Sequence, residues 1–408
     1  MASIPNDILI EISSWLPAKA IHKFRSSDKF FSMFSKDKKF ALKQSQNALL
    51  NNASSFFIHS DFFQRYHGNI VELHHLSGED NSSGVSKTVL EYLAKSAKIL
   101  SSANGLILCR DTTGNSEVQI FIINPATQTW LPIPIPEQLQ GMNVDLEFNV
   151  IFECDDKDNF MVYFFYDNSE FWSPLWDCKV YSIKEGIWKE KEKSLVTGSR
   201  SLKFDTAVFH KGNIHFISDS APYLVKGSFY YRPYIMSYNF ENGTTRMLRV
   251  PKGAQRGSDD INCNMKIFKW KKNTNSTQSI CLVRLSKCVF TIWILTDYEA
   301  NLWERILKIR IKAMGVMEED PVVTGFSVLN GDLLIFATKN KIYSYGLSAS
   351  NENYMKFEEI CDHGCDDNQV SFTSYSNTMR SCGTDDAQPL ALLPHSTLFH
   401  EQAPEFEI

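Results

Sequence analysis

The residues that could carry chemistry are few, and the densest group is a short run of thiols with one imidazole. Cys361, His363 and Cys365 offer three possible metal ligands within five residues. Structural zinc requires four ligands, usually as two spaced pairs, and the next thiol, Cys382, follows only after seventeen residues. We therefore interpret the run as a turn around Gly364 with surface thiols.

Other catalytic patterns are missing from the sequence. It contains no phosphate-binding glycine loop, no Gly-x-Ser-x-Gly and no His-Glu-x-x-His. The acidic run 155–158 lacks the EF-hand ligand pattern and predicts a hairpin tip. Six tryptophans are expected in a protein core rather than in a ligand-stacking site: Trp172, Trp176, Trp188, Trp270, Trp293 and Trp303. The residues thus predict no catalytic group, no cofactor and no metal.

Composition limits the class of protein. The chain has 408 residues, which is more than one small core requires, so we expect more than one domain. Its 43% hydrophobic and 22% charged residues are ordinary for a globular protein. Aromatic residues are abundant, with 29 Phe, 15 Tyr and 8 Trp, and this favours β-structure with large inward side chains.

Charge and apolar runs exclude several partners. Beyond residue 46 the chain holds 34 basic against 43 acidic residues, which predicts no nucleic-acid partner. The longest apolar run, 288–296, is too short to cross a bilayer, so no membrane partner is expected. Asp7 and Glu11 interrupt the early apolar run, which argues against a signal peptide. The nine scattered cysteines are then expected as reduced thiols in the cytoplasm, the nucleus or both.

The elements at the amino end are short helices punctuated by prolines. Pro5 suits a first helical turn, and Pro17 ends one helix and starts the next. Apolar residues recur at helical spacing through the segment. A unit of about 45 residues barely supports its own core, so it is expected to pack against a partner or a following domain. An ordinary helical cap on a larger domain would show the same periodicity.

This Pro-helix-Leu-Pro pattern resembles the F-box, the helical unit that docks substrate receptors onto a cullin-type ubiquitin ligase. The resemblance implies that a Skp-type adaptor, and through it a cullin, binds residues Ile4, Pro5, Ile8, Leu9, Ile12, Leu16, Pro17, Ile21, Phe24 and Phe31. Phe31 stands where the family usually has tryptophan, and Ser26 where it has cysteine. Residues 1–46 hold eight basic against four acidic side chains, and the family's adaptor is acidic, so attraction is expected.

The rest of the chain repeats a simple strand pattern. Turn signals precede apolar strands at Asn104-Gly105, Gly212-Asn213 and Asn330-Gly331. A second pattern, an alternating strand, a polar turn and another strand, recurs about every 50–60 residues, the spacing of propeller blades. Stacking such copies radially buries faces that no single copy can cover. An irregular β-sandwich or two smaller β-domains are the alternative architectures.

The stretch 104–134, with Phe121-Ile122-Ile123-Asn124-Pro125 at its centre, resembles the F-box-associated β-propeller of plant F-box proteins. The fold expected is therefore α+β multidomain, with a small N-terminal helical F-box followed by an all-β, kelch-like propeller of degenerate blades. The expected boundaries are 1–46 for the F-box, 47–100 for a transition that could add strands, 101–384 for the propeller, and 385–408 for an acidic, disordered tail.

The resemblance implies a non-catalytic receptor subunit of a Skp–cullin–F-box E3 ubiquitin ligase, which recruits a target protein for ubiquitination. The target and its binding residues are not indicated by the sequence. Two alternatives remain open at this point. One is a propeller lectin or propeller enzyme with polar residues converging at the central channel. The other is an adaptor-deficient F-box scaffold, suggested by the altered Phe30-Phe31 region.

Overall fold

The computed structural model describes the greater part of the chain. The described residues are 5–27, 29–50, 55–60, 70–76, 85–112, 119–140, 149–155, 159–167, 174–220, 232–255, 263–271, 278–347, 357–365, 369–383 and 387–390.

Four short helices form the N-terminal part, as the proline pattern predicts. They are α1 (Asn6–Ser13), α2 (Ala18–Ser27), α3 (Lys29–Phe34) and α4 (Lys38–Leu50), and we call them the helical unit. The carbonyl of Pro5 accepts a hydrogen bond from the Leu9 N–H at 3.1 Å, and that of Pro17 accepts one from the Ala20 N–H at 2.9 Å. Each proline thus stands where a helix begins and its missing N–H costs nothing.

The helical unit has a small core that is shared with the next domain. Ala18, Ile21, Phe34 and Phe40 are buried there together with two residues from beyond the helices, Ala126 and Met379. The rings of Phe34 and Phe40 meet edge to face, with centroids 4.7 Å apart. The unit therefore packs on the β-domain, which supplies the apolar area that 45 residues cannot supply alone.

The described strands form six sheets, each a blade of a propeller, which confirms the predicted fold class. Blade 1 contains β1 (Ser55–Ser60), β2 (Val71–His75) and β24 (Val370–Tyr375). Helix α5 (Lys87–Ser96) leads to blade 2, with β3 (Ala97–Ala103), β4 (Leu106–Asp111), β5 (Ile120–Asn124), β6 (Thr129–Ile133) and β25 (Gln388–Pro389). Blade 3 contains β7 (Val150–Cys154), β8 (Phe160–Tyr166), β9 (Leu175–Ser182), β10 (Ile187–Glu190) and β11 (Leu195–Val196).

Blades 4 to 6 have four strands each. Blade 4 contains β12 (Leu202–His210), β13 (Asn213–Ser218), β14 (Tyr234–Asn239) and β15 (Thr245–Arg249). Blade 5 contains β16 (Asn264–Trp270), β17 (Ser279–Ser286), β18 (Val289–Asp297) and β19 (Leu302–Arg310), followed by the short helix α6 (Ile311–Met314). Blade 6 contains β20 (Gly325–Leu329), β21 (Leu333–Ala337), β22 (Lys341–Gly346) and β23 (Phe357–Asp362). Short 3₁₀ turns lie at Glu137–Leu139 and Lys252–Ala254.

The ring is closed by pairing the two ends of the β-domain. The innermost strands contact one another in the cyclic order β24, β3, β7, β12, β16, β20. Strand β24, from the end of the chain, pairs antiparallel with β1, from its beginning. Blade 1 is therefore assembled from residues 55–60, 71–75 and 370–375, and the ring can form only after all three strands have been made.

The connections lie on two faces because neighbouring strands are antiparallel. In blades 2 to 6, the turns that join first to second and third to fourth strands lie on one face, which we call the helix face because Ala126 there packs into the helical unit. The remaining connections, including the long ones after β6 and β15, leave and enter their strands on the opposite face, which we call the loop face.

Tight turns on the helix face follow the sequence signals closely. Asn104 and Gly105 have φ of 51° and 84°, and Asn330 and Gly331 have 54° and 83°, as two-residue hairpin turns require. The predicted pair Gly212-Asn213 is shifted by one residue. Lys211 and Gly212 have positive φ, and Asn213 begins β13.

The acidic segment 385–408 lies mostly outside the described residues. Within it, Gln388 and Pro389 pair with β6, and Leu390, which is buried, donates its backbone N–H to the carbonyl of Gln128 at 2.9 Å. The chain therefore reaches blade 2 before it leaves the described region.

A buried histidine in blade 4 makes stability depend on pH. His215 lies 2.8 Å from the Tyr298 hydroxyl through Nε2 and 3.1 Å from the Val208 carbonyl through Nδ1, so the neutral ring satisfies both nitrogens. Burial lowers the pKa of His215 from 6.5 to about 4. In the unfolded chain His215 is therefore protonated near pH 6.5, and in the folded chain only near pH 4. The stability that the neutral His215 contributes is complete above pH 6.5 and is lost as the pH falls towards 4.

We expect His215→Gln to flatten the pH dependence of stability. Between pH 7 and pH 4, the free energy of unfolding of the wild type should fall by about 3 kcal/mol more than that of the variant. Urea titrations at several pH values measure this difference. If the free energy of unfolding changes equally with pH in the two proteins, His215 is not held neutral.

Candidate functional site

Large apolar side chains remain exposed on three helices of the helical unit. Ile8, Ile12 and Trp15 recur at i, i+4 and i+7 on and just after α1, so they form one stripe. Phe24 on α2 and Met33 on α3 are exposed as well. All five are between 45% and 70% accessible. These exposed apolar side chains make the helical unit the candidate binding surface.

The structure divides the sequence-predicted adaptor residues into groups. Five are exposed: Pro5, Ile8, Ile12, Pro17 and Phe24. Three are half-buried: Leu9, Leu16 and Phe31. Ile4 lies outside the described residues. Ile21 is fully buried in the core of the helical unit, so it is not among the exposed side chains, and its predicted role in adaptor binding stays a prediction. Its i+3 spacing from Ala18 faces it inward, against Phe34 and Phe40.

Trp15 and Met33 are exposed residues that the sequence reasoning missed. The signal for Trp15 was present, since it continues the Ile8–Ile12 spacing by one further turn. For Met33 no signal was available, because Phe30, Phe31 and Met33 lie in one short apolar run and only packing decides which faces outward.

We call the exposed side chains Ile8, Ile12, Trp15, Phe24 and Met33 the apolar helix surface. Phe31 supports it from beneath, since its ring lies 5.1 Å from that of Phe24 and also packs against the core. The altered third helix therefore keeps an aromatic side chain in contact with Phe24.

The helical unit is also positively charged on its exterior. Six of its basic side chains are exposed: Lys23, Lys29, Lys36, Lys38, Lys39 and Lys43. Lys43 forms an ion pair with Glu11, and this hydrogen bond holds the pKa of Glu11 below its usual value. The pair joins α4 to α1, and exposed basic residues give the unit a field that favours an acidic partner.

A buried glutamine fixes the helical unit to the propeller. Gln44 on α4 donates from Nε2 to the Leu16 carbonyl at 3.0 Å and accepts from the Met379 N–H at 2.8 Å through Oε1. Asn47 on the same helix donates to the Ser14 hydroxyl at 2.7 Å. One side chain thus ties α4 to the end of α1 and to the segment that follows β24, so the apolar helix surface has a fixed orientation relative to the blades.

The segment 376–383 runs across the helix face, and we call it the strap. Asn124 at the end of β5 donates to the carbonyls of Thr378 and Arg380, at 3.1 Å and 2.6 Å. Its Oδ1 accepts the N–H groups of Ala126 and Thr127 in the following turn. Arg380, which is almost fully buried, donates to the Asp155 carbonyl at 2.7 Å in blade 3. The strap thus links blades 1, 2 and 3 beneath the helical unit.

The loop face carries scattered exposed apolar side chains. Five lie on or beside its connections: Ile70, Leu175, Val196, Met317 and Val322. A groove of about 360 Å³ beside Val196 is lined by Tyr234, Met236 and Met247. This face points away from the helical unit.

The possible metal ligands do not assemble into a site. Cys361 contacts His74, Cys365 lies near the Ile70 carbonyl, and Cys382 contacts Thr129 in another blade. Within the described residues, no group of three or more His, Cys, Asp and Glu side chains could hold a metal ion. Asp155 sits in the β7–β8 connection, where its backbone and carboxylate bind the Asn159 backbone, and residues 156–158 lie outside the described region.

The helices are short, and none in the described part of the chain is long and apolar enough to cross a membrane. Trp270 and Trp293 are buried in the blades, and Trp176, Trp188 and Trp303 pack against blade cores, whereas Trp172 is outside the described residues.

Two solved structures are distantly similar to this chain. TolB from Acinetobacter baumannii is 14% identical, with 83% of this chain and 72% of that chain covered and a TM-score of 0.43. A fucoside complex of Aleuria aurantia lectin is 12% identical, with 78% and 98% covered and a TM-score of 0.37. Both scores are too low to support an argument about function.

Sequence comparisons are more informative. F-box protein At5g49610 of Arabidopsis thaliana is 21% identical over 321 residues, which is 77% of this chain and 80% of that protein. F-box protein At5g07610 of the same plant is 22% identical over 228 residues, 53% of this chain and 52% of that protein. The family described as F-box protein At3g26010-like, beta-propeller matches residues 55–390, from the first strand of blade 1 to the residue after β25. With short helices before a six-bladed ring and this match over most of its length, the chain belongs to the At3g26010-like β-propeller family of F-box proteins.

Proposed function

We propose that the chain is the substrate-recognition subunit of a Skp–cullin–F-box E3 ubiquitin ligase. The helical unit would bind a Skp-type adaptor and, through it, a cullin, while the propeller binds a target protein. The observation that carries the proposal is the apolar helix surface, whose five side chains stay exposed although the propeller lies next to the same helices. Family membership supports the same role.

The energetics of the apolar helix surface suit a stable contact. Burying one such side chain completely stabilises a complex by about 1.5–3 kcal/mol. Five partly exposed side chains could therefore offset much of the loss of translational and rotational freedom on association, which costs about 4–15 kcal/mol. The exposed lysines around them would speed the encounter with an acidic adaptor.

Such a receptor needs no catalytic residue of its own. Holding the lysines of a bound target near a charged ubiquitin carrier raises their effective concentration, and this accelerates the transfer. A fixed link between the helical unit and the propeller would hold the target in a constant position relative to the carrier. Gln44 and the strap supply such a link, because they join the helical unit to blades 1, 2 and 3 through buried hydrogen bonds.

We further propose that the target binds the loop face. The helix face is partly covered by the helical unit and the strap, whereas the loop face carries the longer connections and five exposed apolar side chains. Binding specificity commonly resides in loops on a rigid scaffold. A receptor of this kind would act in the cytoplasm, the nucleus or both.

Co-purification of the adaptor tests the role of the helices. We expect the double variant Ile12→Asp with Phe24→Asp to lower adaptor affinity by about 100-fold or more, because each carboxylate would be buried against apolar groups at a cost of at least 1–3 kcal/mol. Both side chains are exposed, so the propeller should remain folded. Tagged full-length chain is the bait, and adaptor and cullin are quantified together.

The matched control is Leu302→Asp, which adds the same charge at a comparably exposed apolar residue on blade 5. It should leave adaptor recovery unchanged. If the folded wild-type chain fails to recover adaptor, the chain is an F-box scaffold that does not bind the adaptor. Equal recovery by the wild type and the double variant would place the contact elsewhere.

A further inference from the structure

A cysteine, a histidine and a glutamate form a hydrogen-bonded chain at the seam between blades 6 and 1. Cys361 Sγ lies 3.1 Å from Nδ1 of His74. Nε2 of His74 lies 2.8 Å from Oε2 of Glu72. The other carboxylate oxygen, Oε1, accepts the backbone N–H of Gly364 at 2.9 Å. The thiol and the carboxylate therefore contact opposite nitrogens of one imidazole ring.

The hydrogen bonds fix which nitrogen carries the proton. The bond from His74 is the main cause that holds the pKa of Glu72 below its ordinary value, so the carboxylate is charged and only accepts. Nε2 must then be the protonated nitrogen, and Nδ1 is left to accept from the Cys361 thiol. A nucleophile, a base and a group that orients the base thus form one hydrogen-bonded chain in space. This is the arrangement that activates thiols.

Two other thiols that are not fully buried lie near carbonyl oxygens. Cys154, which is half-buried like Cys361, donates to the Ala103 carbonyl at 3.5 Å. Cys288 is the exposed cysteine of the chain, and its thiol lies near the Pro321 carbonyl. A carbonyl oxygen cannot remove a thiol proton at neutral pH, whereas an imidazole can. Chemical reactivity should therefore follow the partner of each thiol rather than its exposure.

We propose that Cys361 is a covalent modification site for soft electrophiles of the α,β-unsaturated carbonyl class, with His74 as the base and Glu72 as the residue that positions it. The site is accessible, because the side chains of His74 and Glu72 are 17% and 28% exposed and Cys361 is only half-buried. It stands near the end of β23, beside the connection to β24 on the loop face.

The reaction is an addition that needs no further reagent. The Cys361 thiol proton passes to Nδ1 of His74, and the sulfur forms a bond to the β-carbon of the electrophile. The carbon–carbon π pair moves to the carbonyl as an enolate, and the proton then passes from His74 to the α-carbon. Glu72 stabilises the imidazolium while it exists. Every atom of the electrophile is retained in the adduct.

The Cys361 thiol is protonated before it reacts. Burial and the nearby carboxylates raise the pKa of Cys361 to about 11. At this pKa the thiol is almost entirely protonated at pH 7, so addition at neutral pH requires a base that accepts the thiol proton. His74 is the base in contact with the Cys361 sulfur.

N-ethylmaleimide is a suitable probe because it is itself an unsaturated carbonyl compound. The native full-length chain is treated at pH 7 with limiting reagent, and peptide mass spectrometry gives the rate at each cysteine. We expect Cys361 to react at least about tenfold faster than Cys154. His74→Gln should slow Cys361 about tenfold or more and leave Cys154 unchanged. Circular dichroism confirms that the variant is folded.

The pH profile of the wild type provides a test that needs no variant. With His74 accepting the thiol proton, the Cys361 rate should rise much less than tenfold per pH unit. An unassisted thiol would instead gain about tenfold per pH unit up to its own pKa. A tenfold rise per unit between pH 7 and 9, or a Cys361 rate at pH 7 no greater than that of Cys154, would overturn the proposal.

Discussion

Asn124→Leu is expected to lower the free energy of unfolding by about 4–6 kcal/mol. Asn124 is fully buried, and its side chain makes four hydrogen bonds to backbone groups. A buried backbone group left without a partner costs about 1–3 kcal/mol. Leucine has similar volume but satisfies none of the four groups. Urea titration followed by circular dichroism measures the change.

A matched residue separates the contribution of the strap hydrogen bonds from that of the turn hydrogen bonds. Asn239 ends β14 in blade 4 as Asn124 ends β5 in blade 2, and its Oδ1 accepts the N–H groups of Glu241 and Asn242 in the same way. It is half-exposed, and its Nδ2 donates to the Gly212 carbonyl at 3.3 Å rather than to the strap. Asn239→Leu should therefore cost only about 1 kcal/mol. Equal losses for the two variants would mean that the strap adds nothing to stability.

The strap contacts also predict a local consequence. Because Asn124 holds the carbonyls of Thr378 and Arg380, its loss should expose the strap before the propeller unfolds. Hydrogen exchange measured on the peptide that contains residues 376–383 should accelerate in Asn124→Leu and not in Asn239→Leu.

Gly325→Ala is expected to weaken ring closure, with a loss of about 2–4 kcal/mol. Gly325 begins β20 of blade 6, and a Cβ at this position would lie 2.0 Å from the carbonyl oxygen of Val370 in β24. The obstacle is backbone, so it cannot rotate away. The two inner strands would have to separate, which strains the bond from the Val370 N–H to the Thr324 carbonyl at 3.1 Å.

Gly346→Ala is the control for this effect. Gly346 ends β22 in the same blade, and a Cβ there would meet nothing within 4 Å. Alanine at this position should be neutral or stabilise the fold by up to about 1 kcal/mol. Thermal unfolding of both variants measures the difference. Equal melting temperatures for Gly325→Ala and Gly346→Ala would show that the seam tolerates an added methyl group.

Local signals account for the parts of the fold that the sequence predicts. Pro5 and Pro17 limit backbone angles at their own positions, so helix starts can be read directly. Asn104-Gly105 and Asn330-Gly331 favour positive φ, so the turns can be read in the same way. Each of these features is decided by residues that are close together along the chain.

Features decided by distant residues were not predictable in this way. Blade 1 draws β1 and β24 from opposite ends of the β-domain, so no single sequence repeat contains it. Asn124 was recognisable as a turn residue before Pro125, but its partners Thr378 and Arg380 lie more than 250 residues away. Ile21 and Ile12 have the same apolar character, and only the packing of Phe34 and Phe40 buries the first and leaves the second exposed.

The most direct test of the receptor proposal is calorimetric titration of the full-length chain with a purified Skp-type adaptor. The wild type should bind with a negative heat-capacity change, because the apolar helix surface leaves water on association. Ile12→Asp with Phe24→Asp should weaken binding by about 100-fold or more, and Leu302→Asp should not change it. Absence of binding by the folded wild type, or equal affinity for all three proteins, would contradict the proposal.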